Sequence, residues 1–318
     1  MGNLDFGSIF TLTLFAATFR MATPILFATM GGIFSSQSGI FNVGLESLLI
    51  IGAFFAVVGS VKTGDPMGGL LFAVVACLIA TLIFALLHLE LKANAIIVGL
   101  AMNIFAAGMT NYLLVEMLDA TGVYQSDLII GFKEVQIPFI KDIPFLGDLV
   151  SGHFPLVYVA FLSVWAVYLI LYKTPFGFHL RAVGEKPQAA ESIGINPKKM
   201  KYFGLLVSGL MSAFGGTFLS LSYLNLFAEG MTAGRGWLAL AAINFGGSKP
   251  VRSLIACLIF GFADALAVRL QQFGLPSQIV LMLPYVSTLI VLLFSAMSDE
   301  RKKKMAASKH KRLNTAKA

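Results

Sequence analysis

Nine apolar segments, separated by polar or glycine- and proline-containing breaks, recur along this chain at roughly 9–33, 40–61, 67–88, 94–115, 154–172, 202–223, 235–247, 252–270 and 277–297. A helix of about 20 mostly apolar residues covers the hydrocarbon core of a bilayer. All but 235–247 have about that length. Lipid offers no hydrogen bonds to the backbone, so runs of this length cross it as helices. The expected fold class is all-α: a polytopic transmembrane helical bundle of about nine spans. The 235–247 segment contains Gly236, Gly246 and Gly247. It reads as a short or broken helix, tolerated only where protein or a water-filled cavity surrounds it.

Composition excludes the soluble alternative. The 318 residues are 57% hydrophobic and 12% charged, whereas soluble domains carry about 25% charged residues. The net charge of +7 does not indicate nucleic acid, because the basic residues gather in loops and a tail between apolar runs. There they suit anionic membrane lipid. Placing the 173–201 loop in the cytoplasm puts 89–93, 248–251 and the tail after 298 on the same side. With Arg252 counted as flanking, that side holds 17 Lys and Arg residues against five on the other, with Arg20 inside the first span. The positive-inside rule then gives an outer N-terminus and a cytoplasmic C-terminus, as an odd number of spans requires. The expected organisation is a transmembrane permease domain over 1–300 and a basic cytoplasmic tail over 301–318. The first ten residues carry Asp5 and no positive charge, which does not fit a cleaved signal peptide. The polar stretch 116–153 is expected to cover the outer mouth, with room for a short interfacial helix.

No phosphate-binding loop of the form G-x-x-x-x-G-K-[ST] is present, and Gly246-Gly247-Ser248-Lys249-Pro250 lacks its spacing. His88, His153, His179 and His310 are scattered, and Cys77 and Cys257 sit in apolar runs as small hydrophobes. No metal site, cofactor or catalytic cluster is expected, so the chain does not read as an enzyme. What remains is polarity inside spans, which is costly and usually has a partner or a purpose. Asn42 and Glu46, four apart, would share one helix face, although an acid at a helix start is also favoured by the dipole. Asn103 and Asn111 lie near one face of another span, following Asn94. Asn225, Arg235, Trp237 and Asn244 surround the glycine-rich short segment. Amides and an aromatic ring suit a neutral ligand with a ring and hydroxyls; interhelical hydrogen bonding is the plainer explanation for each amide. Arg20 and Asp264 are further intramembrane charges; the sequence allows them to pair but does not show that they do. Ser208, Ser212, Gly216 and Ser220, spaced by four, read as a close-packing seam.

The basic loop contains Pro187 at a helix start, Ala189-Ala190 within and Gly194 as a stop. That pattern predicts a helix of about two turns. A short helix projecting from a membrane bundle needs a surface to pack against, and a cytoplasmic partner supplies one.

At this loop, Leu180-Arg181-Ala182-Val183-Gly184-Glu185, then Pro187, Ala189-Ala190 and Gly194-Ile195, the chain resembles permease subunits of bacterial ABC importers in the simple-sugar and nucleoside branch. Gly39-Ile40-Phe41-Asn42-Val43-Gly44-Leu45-Glu46 is similar to their early-helix signature, with Ser47 where glycine is expected. Gly234-Arg235-Gly236-Trp237 through Asn244-Phe245-Gly246-Gly247 resembles a third shared block. Within the branch the match looks closest to the smaller of the two unlike permeases of nucleoside importers. The resemblance implies a second permease, cytoplasmic ATP-binding subunits and an extracellular substrate-binding lipoprotein in the bacterial plasma membrane. It implies ATPase coupling through Gly184, Glu185, Pro187, Ala189, Ala190 and Gly194. The substrate pathway would be lined by Asn42, Glu46, Asn103, Asn111, Trp237 and Asn244. A simple-sugar importer is the near alternative. An ion-driven secondary transporter working through Glu46 and Asp264 is the alternative from another class.

Overall fold

A computed structural model of the chain describes residues 12–136, 151–271, 282 and 286. Within them the order is α1 (Leu12–Gln37), α2 (Leu45–Thr63), α3 (Pro66–Ala85), α4 (Ala95–Leu118), β1 (Val123–Tyr124), α5 (Pro155–Lys173), α6 (Pro175–Glu185), α7 (Pro187–Ser192), α8 (Pro197–Phe218), β2 (Phe227–Ala228), α9 (Arg235–Phe245) and α10 (Pro250–Gln271). Wider, π-type turns extend α3 through Leu86–Glu90 and α8 through Leu219–Tyr223.

Local signals account for most of the helix starts. Pro66, Pro155, Pro175, Pro187, Pro197 and Pro250 each open a helix, where the missing N–H costs nothing and the fixed φ is already helical. Side chains of Asp65, Asn94, Thr174 and Asn196 accept from first-turn amides of the helices they precede. Gly64 ends α2 with φ +67, a left-handed stop that glycine adopts without strain.

Seven helical stretches among the described residues are long and apolar enough to cross a membrane. They correspond to seven of the nine expected segments. The eighth, 235–247, is the 11-residue α9. At 1.5 Å per residue it is about 16 Å long, too short to cross a hydrocarbon core of about 30 Å. The ninth, 277–297, and the 301–318 tail lie outside the described residues, as does 137–150 of the outer-mouth stretch. What is described of that stretch contributes β1, which pairs antiparallel with β2, Val123 opposite Ala228.

α1 is the centre of the bundle. Ile25, Leu26, Phe27, Ala28, Met30 and Ile33 have no exposed surface, so this stretch of the helix is covered all round. It packs mainly against α8 and α10, with α9 and α5 beside it. Pro24 lies inside it. The serine–glycine seam packs as expected: Ser208, Ser212 and Ser220 are fully buried. A methyl on Gly216 would strike the backbone of Leu49 and Ala53 on α2. At the perimeter, α4 turns Ile97, Ile104, Phe105 and Tyr112 outward. An apolar surface of that extent is covered by lipid or by another subunit.

The basic loop forms two helices where the sequence suggested one. α7 matches the predicted short helix, and Gly194 follows it with φ +84. α6 precedes it and lays Gly177, Leu180 and Val183 inward, while the Arg181 guanidinium covers the Tyr172 ring at 4.6 Å.

Candidate functional site

Asn42, Glu46 and Asn103 lie about the start of α2, against which α4, α8 and α9 each pack. Two helices begin there without a capping side chain of their own: α2 after Gly44 and α9 after Gly234. The first amides of such helices must find acceptors elsewhere. For α2 the acceptor comes from α4: Asn103 Oδ1 receives the Ser47 N–H at 2.9 Å, and Asn103 Nδ2 donates to the Val43 carbonyl at 3.1 Å. For α9 it is Glu46. One carboxylate oxygen accepts from Thr232 Oγ1 at 2.6 Å and from the Gly234 N–H at 3.0 Å; the other accepts from the Gly236 N–H at 2.6 Å. A carboxylate at a helix N-terminus also meets the positive end of the dipole. Gly236 is required here, because any Cβ would lie about 2.5 Å from the Glu46 Cα.

Asn42 and Glu46 do not share a helix face. α2 starts only at Leu45, so Asn42 sits in the preceding turn, buried. Its Oδ1 accepts the Gly44 N–H at 3.0 Å and its Nδ2 donates to Ser208 Oγ at 3.1 Å. Eight residues along α4 from Asn103, Asn111 donates to the exposed Glu229, while its own Oδ1 is buried with no hydrogen-bond partner among the described residues. Trp237 and Asn244 are exposed. Seven residues apart on α9, they lie on one face of it, an exposed aromatic ring and an exposed amide. An apolar cleft of about 400 Å³ between α3 and α4, lined by Ile51, Phe55, Phe72, Met102 and Phe105 among others, offers no hydrogen-bonding side chain. It does not suit a polar solute.

Asp264 pairs with Arg235 at 3.5 Å rather than with Arg20. Arg235 also donates to the carbonyls of Met231 and Thr232, bracing the chain that enters α9. Among the described residues, no cluster of His, Cys, Asp or Glu is arranged to hold a metal ion. Cys77 and Cys257 are free and buried.

The residues of the basic loop divide into two sets. Glu185, Ala189 and Gly194 are exposed and Pro187 is half-buried. Gly184 and Ala190 turn inward: a methyl on Gly184 would strike the Gln37 carbonyl, and Ala190 is buried. Their smallness serves the packing of α6 and α7 on the bundle. Ile193, passed over in the sequence, is 73% exposed beside Gly194; an apolar side chain displayed on a polar loop was the available signal. Ser36, Gln37 and Ser248 were also missed. Ser36 Oγ and Ser248 Oγ are 2.8 Å apart, and Gln37 Nε2 donates to the Ser248 carbonyl at 2.8 Å. These bonds tie the end of α1 to the turn after α9.

Residues 14–293 match the family described as Branched-chain amino acid transport system / permease component. The guanosine ABC transporter permease protein NupQ of Bacillus subtilis is 36% identical over 290 residues, covering 87% of this chain and 89% of its own. The nucleoside ABC transporter permease protein NupC of Lactococcus lactis is 33% identical over 282 residues, covering 85% of this chain and 88% of its own. The glucose ABC transporter permease protein TsgB13 of Haloferax volcanii is 26% identical over 275 residues, covering 81% and 70%. With most of its length matched and seven helical stretches able to cross a membrane, this chain is a multi-pass membrane protein and belongs to the Branched-chain amino acid transport system / permease component family.

Proposed function

We propose that this chain is one of two paired permeases of an ATP-driven nucleoside importer in a bacterial plasma membrane. The observation that carries this is similarity along most of the chain to permeases named for guanosine and nucleoside transport. The solute passes along the exposed face of α9, where Trp237 stacks on a base and Asn244 hydrogen-bonds it. Asn111 and Asn103 flank the route on α4. Asn42 and Glu46 fix the walls rather than touch the solute, since their polar atoms are already engaged. A second permease closes the face that this bundle leaves open.

Energy comes from cytoplasmic ATP-binding subunits docked on α7. Glu185, Ala189 and Gly194 face that partner with Ile193 as an apolar knob; Pro187 starts the coupling helix, and Gly184 and Ala190 seat it. The loop 173–201 and the C-terminus are then cytoplasmic, the N-terminus is outside, and an extracellular lipoprotein delivers solute at the opposite end. The permease domain runs over 1–300, with 301–318 as a basic tail.

Glu46 argues against an ion-driven mechanism. A carboxylate that accepts three hydrogen bonds has little to offer a travelling cation, and Asp264 already faces Arg235. Sugar transport is the second reading, supported by the similarity to TsgB13. The test is uptake in vesicles holding this chain with its partner permease, ATPase and binding protein. ATP-dependent uptake of labelled guanosine or another nucleoside, insensitive to ionophores, is expected. Uptake of glucose but of no nucleoside would replace the substrate assignment. Uptake by the purified chain alone, driven by an ion gradient, would overturn the mechanism.

A further inference from the structure

The end of α1 is wedged between α6 and the turn after α9. Gln37 is the last residue of α1. Its carbonyl meets the backbone of Gly184, where any Cβ would overlap it, and a Cβ on Gly39 would lie 3.3 Å from the Gly184 Cα. Gly184 is one residue from the end of α6, and only Lys186 separates α6 from α7. On its other side Gln37 donates from Nε2 to the Ser248 carbonyl at 2.8 Å, beside the 2.8 Å contact of Ser36 Oγ with Ser248 Oγ. The Ser248 N–H is donated in turn to the Ile243 carbonyl of α9 at 2.9 Å. Nor is there slack around the α1 turn: Ser38 and Ile40 are buried, and a Cβ on Gly204 of α8 would lie 2.8 Å from Ser38 Oγ. Groups packed this closely pass a displacement on rather than absorb it.

Ser248 adds a separate observation. Gly247 and Ser248 follow each other at φ +58 and +54, in the left-handed region that glycine adopts freely and a side chain disfavours. The first of the two is glycine and the second is not. Backbone strain kept at a residue points to a task for its side chain, and the partner of this hydroxyl is Ser36. We infer that Ser36, Gln37 and Ser248 are positioning residues of the transport step, which carry a displacement of α6 and α7 to the C-terminal end of α9. α9 then swings about the end held by Glu46. Asn244, one turn from the driven end, moves with it, and Trp237, in the first turn, stays. This assignment rests on the proposed docking of ATP-binding subunits on α7.

The test uses the assembled transporter in vesicles, with uptake of labelled guanosine or glucose and ATP hydrolysis measured on the same preparation. Gln37→Glu keeps the size of the side chain and removes its donor. Ser248→Gly removes the hydroxyl and relieves the left-handed strain, so its thermal midpoint should stay about that of wild type. Each variant is expected to lower solute moved per ATP by about threefold or more, with the hydrolysis rate and the apparent KM for solute unchanged. The two together should do no worse than the stronger alone, because both cut one link. If the serine served stability only, a Ser248→Gly chain of wild-type midpoint would couple as wild type does, and that result overturns the assignment. So does a fall of hydrolysis in step with uptake, which gives these residues to the docking of the ATP-binding subunits. A raised KM at an unchanged ratio gives them to the solute site and overturns it as well. Absence of ATP-driven uptake by wild type is a different failure: it overturns the proposed function, and the relay with it, before any variant is compared.

Discussion

The two ends of α9 are held by opposite means. At its N-terminal end, one carboxylate accepts three hydrogen bonds from residues 186 to 190 positions further along the chain. At the turn after its C-terminal end, Ser36 and Gln37 hold Ser248 through two neutral bonds. Bonds to a charged group contribute about 1.5–3 kcal/mol each, against about 1 kcal/mol for neutral ones. The carboxylate also lies at the end of the helix that attracts negative charge. The N-terminal end is therefore the fixed one, and the end nearest α6 is the one that yields first. That asymmetry fits the proposed coupling, in which motion of α6 and α7 would reach α9 at its looser end while the exposed Trp237 stays near the fixed one.

The largest effect should come from Glu46→Ala, which leaves two buried amides and a hydroxyl without their acceptor. A loss of about 3 kcal/mol and at least a tenfold fall in uptake are expected, read by thermal unfolding and transport. An unchanged midpoint would remove the asymmetry altogether. Gly236→Ala should follow at about 1–3 kcal/mol, because the methyl is driven into the Glu46 backbone; Glu46→Ala in the same chain should add less than its separate cost, since the two share one contact. Gly184→Ala tests the yielding end. Its methyl meets the Gln37 carbonyl, so uptake per ATP hydrolysed should fall several-fold while hydrolysis continues. Ser248→Ala removes only the bond to Ser36, leaving its carbonyl to Gln37, and should cost about 1 kcal/mol or less. Smallest is Glu90→Gln. Its pair with Lys198 is exposed on both sides, where solvent and salt screen it, so the thermal midpoint should not move measurably.

Features encoded locally were legible in the sequence. Apolar runs marked the seven candidate spans among the described residues, proline marked six helix starts, and the serine–glycine spacing marked the seam. α6 carries a local signal too, since Thr174-Pro175 is the same start signal as Asn196-Pro197. The polar residues of the candidate site were legible as residue types within apolar runs, but their bonding partners were not. Asn42, Glu46 and Asn103 look alike as polar groups in lipid-soluble segments. Only the fold reveals that each satisfies a particular backbone amide, because their partners are scattered over α2, α8 and α9. The pairing of Asp264 with Arg235 instead of Arg20 has the same cause: the sequence supplies the charges but not the helix rotations that bring one pair within reach.

Pro24 adds a mechanical property to the central helix. Lacking an N–H, it cannot bond to the carbonyl of Arg20 four residues earlier, so α1 loses one rung of its ladder at that level. The missing rung lies between the segment carrying Arg20 and the segment ending at Ser36 and Gln37. A mast jointed at that height can lean at its foot while its upper part stays upright among its neighbours.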